Sequence, residues 1–122
     1  MSVRAIRGAT SLENDSVAAM NEAVGELIAA MMHRNGLVES DLISMLLTST
    51  PDLTSCFPAS AARAHGLHEV PLMSAVEVDV PGAPQRVVRI MAHVESDTPR
   101  DRIKHVFLRG AKALRPDLDD DA

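Results

Sequence analysis

The sequence is poor in aromatic side chains and in cysteine. It contains no Trp and no Tyr, and its only aromatic residues are Phe57 and Phe107. The core must therefore be aliphatic, and nucleic-acid binding through stacked aromatic side chains has little support. Cys56 is the only cysteine, so an internal disulfide is excluded, which is typical of a reducing compartment.

Long apolar runs and a strong charge of one sign are also missing. No segment approaches the ~20 apolar residues of a membrane-spanning helix, and the first ten residues lack the apolar core of a secretory signal. These features predict a cytoplasmic protein. Seventeen acidic and twelve basic residues give a net charge of −5, but four of the aspartates lie within the last six residues. The rest is nearly neutral, which argues against nucleic acid or a membrane surface as a partner.

The length of 122 residues is that of one domain, and 46% apolar with 24% charged residues is a globular composition. We predict a single domain over residues 1–115. The aspartates Asp117, Asp119, Asp120 and Asp121 predict an acidic, mobile tail over residues 116–122.

Two segments have the pattern of helices. The polar segment SLENDS precedes apolar residues at helical spacing, which predicts a helix over residues 16–35 with Gly36 as its stop. The segment FPASAARAHG predicts a short helix over residues 57–66, with Pro58 near its first turn and Gly66 at its end.

Apolar runs between these segments predict strands, and hence a mixed α/β fold. The predicted strands cover residues 3–10, 42–50, 70–80 and 86–94, and the run at 42–50 is typical of a buried strand. Residues 104–114 fit a strand or a helix, and we favour a strand. In the third strand, the alternation places Val76, Val78 and Val80 on one face and Glu77 on the other.

Three charged residues within or beside apolar strands are candidates for binding. Arg89 is flanked by apolar residues on both sides, so an anion should lie nearby, either Glu77 in a structural salt bridge or a ligand. Glu77 is either part of a solvated face or an acceptor for a ligand hydroxyl. Arg7, near the predicted end of the first strand, is either a surface residue or part of a site at that edge.

The sequence has no recognisable pattern of residues for proton transfer, nucleophilic attack or metal binding. Of five histidines only His65 and His68 are close in sequence, and no Cys or carboxylate cluster completes a metal site. Neither a GxSxG motif nor a glycine-rich phosphate loop occurs. Cys56 is either a small buried residue or a thiol with a lowered pKa near a helix N-terminus, and we favour the first. Several arginines with one carboxylate suit recognition of a small anionic ligand.

Taken in order, six segments resemble the monofunctional AroH-class chorismate mutases. They are RAIRGAT (4–10), MLLTSTPDL (45–53), FPASAAR (57–63), VEVDVPG (76–82), RVVRIMAHVESD (86–97) and LRPDL (114–118). The resemblance implies a pseudo-α/β-barrel homotrimer with active sites at the subunit interfaces. It further implies conversion of chorismate to prephenate, on the route to phenylalanine and tyrosine, without cofactor or metal.

The resemblance also implies roles for individual residues. Arg89 would donate to the ether oxygen of the substrate, Arg7 would bind a carboxylate, and Glu77 would accept from the ring hydroxyl. The resemblance implies further substrate contacts from an apolar wall of the active site, from the entrance of the site and from the C-terminal segment. These residues are Phe57, Ala59, Arg63, Leu72, Met73, Ser74, Phe107, Leu114 and Arg115.

Three positions depart from the family pattern. Phe107 replaces a usual tyrosine, Ser74 a usual cysteine, and Ser60 a usual lysine. The changes at Phe107 and Ser60 leave open a non-catalytic or regulatory trimer that binds a small dicarboxylate. A trimeric imine deaminase is a further alternative because its overall architecture is similar, but the motif order disfavours it.

Overall fold

A mixed sheet with two α-helices on one side forms the fold in the computed structural model, which describes residues 1–114. The order of the elements confirms the predicted mixed α/β class. The predicted tail at residues 116–122 lies outside the described residues. The elements are β1 (Ser2–Ser11), α1 (Val17–Arg34), β2 (Leu42–Ser49), α2 (Pro58–Ala64), β3 (Leu72–Val76), β4 (Val87–Ser96) and β5 (Val106–Phe107), with 3-10 turns at Glu39–Asp41, Arg100–Arg102 and Arg109–Ala113.

The strand order in the sheet is β3-β2-β4-β1-β5. The central strand β4 runs antiparallel to both β1 and β2, while the outer pairs β2–β3 and β1–β5 are parallel. In this register Arg89 lies between Ala9 of β1 and Thr48 of β2. Strand β4 therefore carries Arg89 to the middle of the sheet.

Helix α1 confirms the prediction over residues 16–35. The Ser16 hydroxyl accepts a hydrogen bond from the amide of Ala19 at 3.1 Å, and Gly36 beyond the helix has a φ of +62°. The helix lies close against β1, because a Cβ at Gly8 would collide with the sulfur of Met31. Helix α2 confirms the second prediction, with Pro58 in its first turn.

The core lies between the sheet and the helices, and it uses only one face of the sheet. Ile6, Leu47 and Ile90 point into this core and are buried. On the opposite face Leu46 is 43% exposed and Met73 is 64% exposed. The run at 42–50, predicted to be a buried strand, therefore buries only alternate residues in a single subunit. We call this uncovered side the open face.

The predicted strand over residues 70–80 is too long. Strand β3 ends at Val76, although the amide of Glu77 still donates to the carbonyl of Ser49 at 2.9 Å. Its partner strand β2 also ends at Ser49, so Val78 and Val80 have no strand to pair with and are exposed. The alternating valines Val76, Val78 and Val80 therefore extend in the sequence beyond the end of the strand.

The predicted strand over residues 104–114 is also largely wrong. Only Val106–Phe107 pairs with β1, and the chain then turns because Arg109 has a φ of +52°. The Arg109 guanidinium contacts Glu22 at 3.1 Å and Glu26 at 3.2 Å on α1. These contacts, chiefly the hydrogen bond to Glu26, raise the pKa of Arg109 and hold the 3-10 turn against the helix.

Candidate active site

Arg89 and Glu77 form an ion pair at the edge of the open face. The Arg89 Nε lies 3.2 Å from both carboxylate oxygens of Glu77. The Thr48 hydroxyl donates to Glu77 Oε2 at 2.6 Å, so β2 links the two side chains. The salt bridge that the sequence allowed is therefore present.

The ion pair with Glu77 uses only one of the hydrogen-bond donors of Arg89. Among residues 1–114, nothing hydrogen-bonds to its two terminal amino groups, and the side chain is 39% exposed. A guanidinium offers five N–H donors in a planar fork, so those groups remain available for an anionic ligand. Glu77 fixes the orientation of the fork through Nε alone.

A cavity of about 230 Å³ on the open face brings Arg7 and Arg89 together with Phe107. We call it the arginine cleft; its other lining residues are Gly8, Ala9, Leu46, Thr48, Ile90 and Met91. Arg7 pairs with Met91, two residues along β4 from Arg89, so both arginines point to the same face. The lining contains two cations and no carboxylate.

Arg7 lies in the middle of β1. The prediction that Arg7, just before Gly8, is near the end of the first strand is therefore wrong. Strand β1 continues to Ser11 because β4 pairs with it along its whole length. Arg7 is half-buried, and in the described part of the chain no carboxylate pairs with its guanidinium. A central strand position gives this cation a rigid base.

The Arg89–Glu77 pair also lines a second cavity of about 360 Å³, on the side of the loop that follows β3. Thr50, Pro51 and Asp52 and the loop residues 78–85 complete this lining. The ion pair therefore separates the arginine cleft from the loop.

A third cavity, of about 400 Å³, lies beside the outer strand β3. We call it the edge pocket; its lining residues are Ser49, Leu53, Thr54, Ser55, Cys56, Phe57, Pro58, Ser74, Ala75 and Val76. Phe57 is 71% exposed, and the Ser74 hydroxyl accepts from the amide of Ala59 at 3.1 Å. The edge pocket shares no lining residue with the arginine cleft.

Asp15 anchors the segment that carries Phe57. Its carboxylate accepts from the amide and hydroxyl of Thr54 and from the amide of Ser55, at 3.0 to 3.2 Å. The backbone hydrogen bond from Thr54 is the main reason that the pKa of Asp15 lies below its usual value of 3.8. The charged form of Asp15 is therefore the one that holds this wall of the edge pocket.

Cys56 is a packed residue and not an activated thiol. Burial, and then the nearby charge of Asp15, raise the pKa of its thiol above the usual 9.0. The alternative of a lowered pKa is therefore wrong. Cys56 is partly rather than fully buried, and it packs against the core.

The remaining predicted residues line neither the arginine cleft nor the edge pocket. Ala59 is buried in α2, and the exposed Arg63 donates to the Ser60 hydroxyl at 3.3 Å. Leu72 packs against the core, whereas Met73 is exposed on the open face. Leu114 packs near Phe107, which is buried against Ala9. Arg115 lies outside the described residues.

Two contacts to residues of the proposed site were not predicted. Thr48 binds Glu77 directly, and the imidazole of His105 accepts from the backbone amide of Arg7 at 3.0 Å through Nδ1. No local motif marks either residue, because both contacts depend on which strands are neighbours in the sheet.

No group of three or more His, Cys, Asp or Glu side chains within residues 1–114 is arranged to hold a metal ion. In the same part of the chain, no helix is long and apolar enough to cross a membrane.

Comparison with known proteins identifies the family of the chain. The family model described as chorismate mutase type I matches residues 3–118. The chain belongs to this family. The chorismate mutase AroH of Thermus thermophilus is 50% identical over 118 residues, covering 96% of this chain and 97% of that protein. The one from Bacillus subtilis strain 168 is 39% identical over 119 residues, covering 97% and 94%.

A solved structure supports the same assignment. The chorismate mutase from Clostridium thermocellum aligns with a TM-score of 0.87 at 42% identity, covering 89% of this chain and 97% of that one. The resemblance inferred from the six sequence segments is therefore confirmed, and the protein is a chorismate mutase, an isomerase.

Proposed function

We propose that the protein converts chorismate to prephenate, for aromatic amino acid biosynthesis, at a site built around Arg89, Glu77 and Arg7. The observation that carries this proposal is the arginine cleft. Two arginines face one small cavity, a carboxylate orients one of them, and the lining has no histidine, cysteine or lysine for proton transfer. Such a site suits a reaction driven by binding and charge.

The reaction is an intramolecular Claisen rearrangement. A C–O bond breaks while a C–C bond forms, and no proton or covalent intermediate is needed. The enzyme must hold a flexible dicarboxylate in its compact pseudo-diaxial conformer and stabilise the charge that separates in the transition state. A triad or a metal has no step to perform in this chemistry.

The free amino groups of Arg89 are assigned to the ether oxygen, which gains negative charge as the C–O bond breaks, and to a carboxylate. Glu77 accepts from the ring hydroxyl and balances the positive charge that develops on the ring. Its bond to Arg89 Nε supports this role, because the carboxylate lies beside the arginine assigned to the ether oxygen, on the side of the loop that follows β3. Arg7 binds a substrate carboxylate, and Phe107 supplies an apolar surface between the strands.

The open face supports a homotrimer with sites at its interfaces. Both helices cover the opposite face, which leaves Leu46, Met73 and Val3 exposed at 43%, 64% and 59%. Apolar strand surface of this kind is stabilised when another copy covers it. In the trimer, the edge pocket of one subunit would supply Phe57 and Ser74 to the arginine cleft of the next. The neighbouring helix α2 and strand β3 would complete that side of the site with Ala59, Arg63, Leu72 and Met73.

The C-terminal segment is assigned to the mouth of this site. Leu114 packs beside Phe107 at the arginine cleft, so the chain beyond it starts close to the proposed substrate position. Arg115 then adds a cation that attracts the dianion. The single cysteine and the biosynthetic role support a cytoplasmic location.

The test is consumption of chorismate by the purified protein, followed by ultraviolet absorbance. Because the chain has no Trp or Tyr, its own absorbance is low. Prephenate is confirmed by its conversion to phenylpyruvate in acid. We expect turnover far above the spontaneous rate and a kcat that is nearly constant around neutral pH, since no proton is transferred. Absence of turnover in a correctly assembled protein would support the dicarboxylate-binding alternative instead.

A further inference from the structure

The amide of Arg7 has an unusual partner for a residue inside a sheet. Strand β5 pairs with β1 at only two positions, Gly8 with Val106 and Ala9 with Phe107. One residue before this short ladder, the acceptor of the Arg7 amide is the side chain of His105, at 3.0 Å. An imidazole therefore extends the pairing on this side of β1.

This hydrogen bond defines the protonation state of the imidazole. A ring nitrogen accepts a hydrogen bond only when it carries no proton. Nδ1 of His105 is therefore unprotonated, and the single proton of the neutral ring is on Nε2. A protonated imidazole has N–H donors at both nitrogens, and it would place a donor against the donor of Arg7.

The segment around His105 is fixed from the other side as well. The Asn35 side chain, at the end of α1, accepts from the amide of Lys104 at 2.8 Å and donates to its carbonyl at 2.9 Å. Beyond β5, the amide of Leu108 donates to the carbonyl of Ala9 at 2.9 Å. His105 is therefore held in register with Arg7 by contacts on both sides.

The charged residues that line the cavity beside His105 are arginines. The cavity has a volume of about 380 Å³, and its charged or titratable lining residues are Arg4, His93 and Arg100, besides His105 itself. Arg4 donates to the carbonyl of Thr98 at 2.7 Å, and His93 contacts the Ser44 hydroxyl at 3.3 Å. Among the described residues, no carboxylate lines this cavity.

We propose that His105 is a positioning residue for Arg7, whose neutral imidazole holds the Arg7 backbone so that the guanidinium is ready for a substrate carboxylate. The role of Arg7 in this statement rests on the proposed function. Protonation of His105 removes the acceptor, so substrate affinity falls as the pH drops through the titration of this histidine. The chemical step transfers no proton, so the effect is on KM and not on kcat.

The test compares three variants of the full chain. In His105→Asn, the amide oxygen replaces Nδ1 as an acceptor but does not titrate in this range; in His105→Leu, no acceptor remains. His93→Asn is the matched control, because His93 lines the same cavity and its hydrogen-bond partner is the Ser44 hydroxyl. The steady-state kcat and KM for chorismate are measured between about pH 5 and pH 8, where histidines titrate.

We expect an acidic limb in kcat/KM for the unmodified protein and for His93→Asn. His105→Leu should raise KM about five- to tenfold at neutral pH with little change in kcat, as for an unsatisfied amide. His105→Asn should keep the neutral KM and lose the acidic limb. The proposal is overturned if His105→Asn keeps that limb, or if it raises KM as much as His105→Leu does.

Hydrogen exchange of the Arg7 amide, measured by NMR without substrate, separates this proposal from the proposed function. The protection factor of that amide should fall in acid in the unmodified protein and stay constant in His105→Asn. This readout is decisive even when His105→Leu does not fold or when chorismate is not turned over. An Arg7 protection factor that does not change with pH in the unmodified protein contradicts the proposal.

Discussion

The arginine cleft and the edge pocket differ in almost every physical property. The cleft lies on central strands, is lined by two cations, and has its main arginine oriented by Glu77. The edge pocket lies beside the outer strand β3, and its Phe57 is 71% exposed. The cleft has two arginines among apolar lining residues, whereas no charged residue of the described part of the chain lines the edge pocket. This difference supports the proposal that each active site combines the cleft of one subunit with the edge pocket of another.

Removing the central cation of the cleft has the largest expected effect. Arg89→Ala should lower kcat at least about a thousandfold, because the donors aimed at the developing oxyanion are lost. The assembly should survive, since the Arg89 side chain is 39% exposed and its ion pair within the described residues is with Glu77. Turnover is measured together with the mass of the assembly, and Arg102→Ala on the surface is the control. Full activity in a folded Arg89→Ala protein would refute the assigned role.

A smaller effect on activity is expected when Phe107 is replaced by tyrosine, the usual residue of the family at this position. Phe107→Tyr introduces a hydroxyl at a position that lines the arginine cleft, where it can donate to a substrate carboxylate. One neutral hydrogen bond contributes about 0.5–1.5 kcal/mol, so kcat/KM should rise roughly two- to tenfold. Steady-state kinetics on both proteins check this value. A fall in kcat/KM would mean that the apolar ring itself is required at this position.

The smallest expected effect is on the wall of the edge pocket. Hydrogen bonds lower the pKa of Asp15, so the charged form stabilises the fold above the usual carboxyl pKa. This stabilisation is lost as the pH falls through the lowered pKa. Asp15→Asn should therefore reduce the acid-dependent loss of thermal stability below about pH 4 and raise KM slightly at neutral pH.

Thermal unfolding between about pH 5 and pH 3 measures this difference. The exposed loop residue Asp79 provides the matched control, as Asp79→Asn. If Asp15→Asn and the unmodified protein lose stability equally in acid, Asp15 does not hold the segment in the way described.

Most of the fold could be predicted because its signals are local. Helix α1 begins at the Ser16 cap and ends before Gly36, and both features are visible in the sequence. The end of β3 was missed because it depends on where its partner β2 ends. The turn at residues 109–113 was missed because Glu22 and Glu26, far away in the sequence, bind Arg109.

The site was predictable to a similar degree. An arginine within an apolar strand predicted an anion nearby, and Glu77 is that anion. Sequence alone could not show that Arg7 and Arg89 share one cleft, because that depends on the register of β1 with β4. The contact between His105 and Arg7 depends in the same way on the neighbouring strands β1 and β5.

The most direct test of the two halves is complementation between subunits. Arg89→Ala destroys the cleft but keeps the edge pocket, and Phe57→Asp places a carboxylate in the exposed pocket wall but keeps the cleft. The two chains are co-expressed with different affinity tags, and mixed trimers are purified through both tags. Trimers of each variant alone are the controls.

If each site combines the cleft of one subunit with the edge pocket of the next, every mixed trimer regains one intact site. Its activity should then reach about a third of that of the unmodified trimer, since the three sites are related by rotation. The two control trimers should both be nearly inactive. Mixed trimers that are as inactive as the controls would contradict the account, because each site would then belong to a single chain.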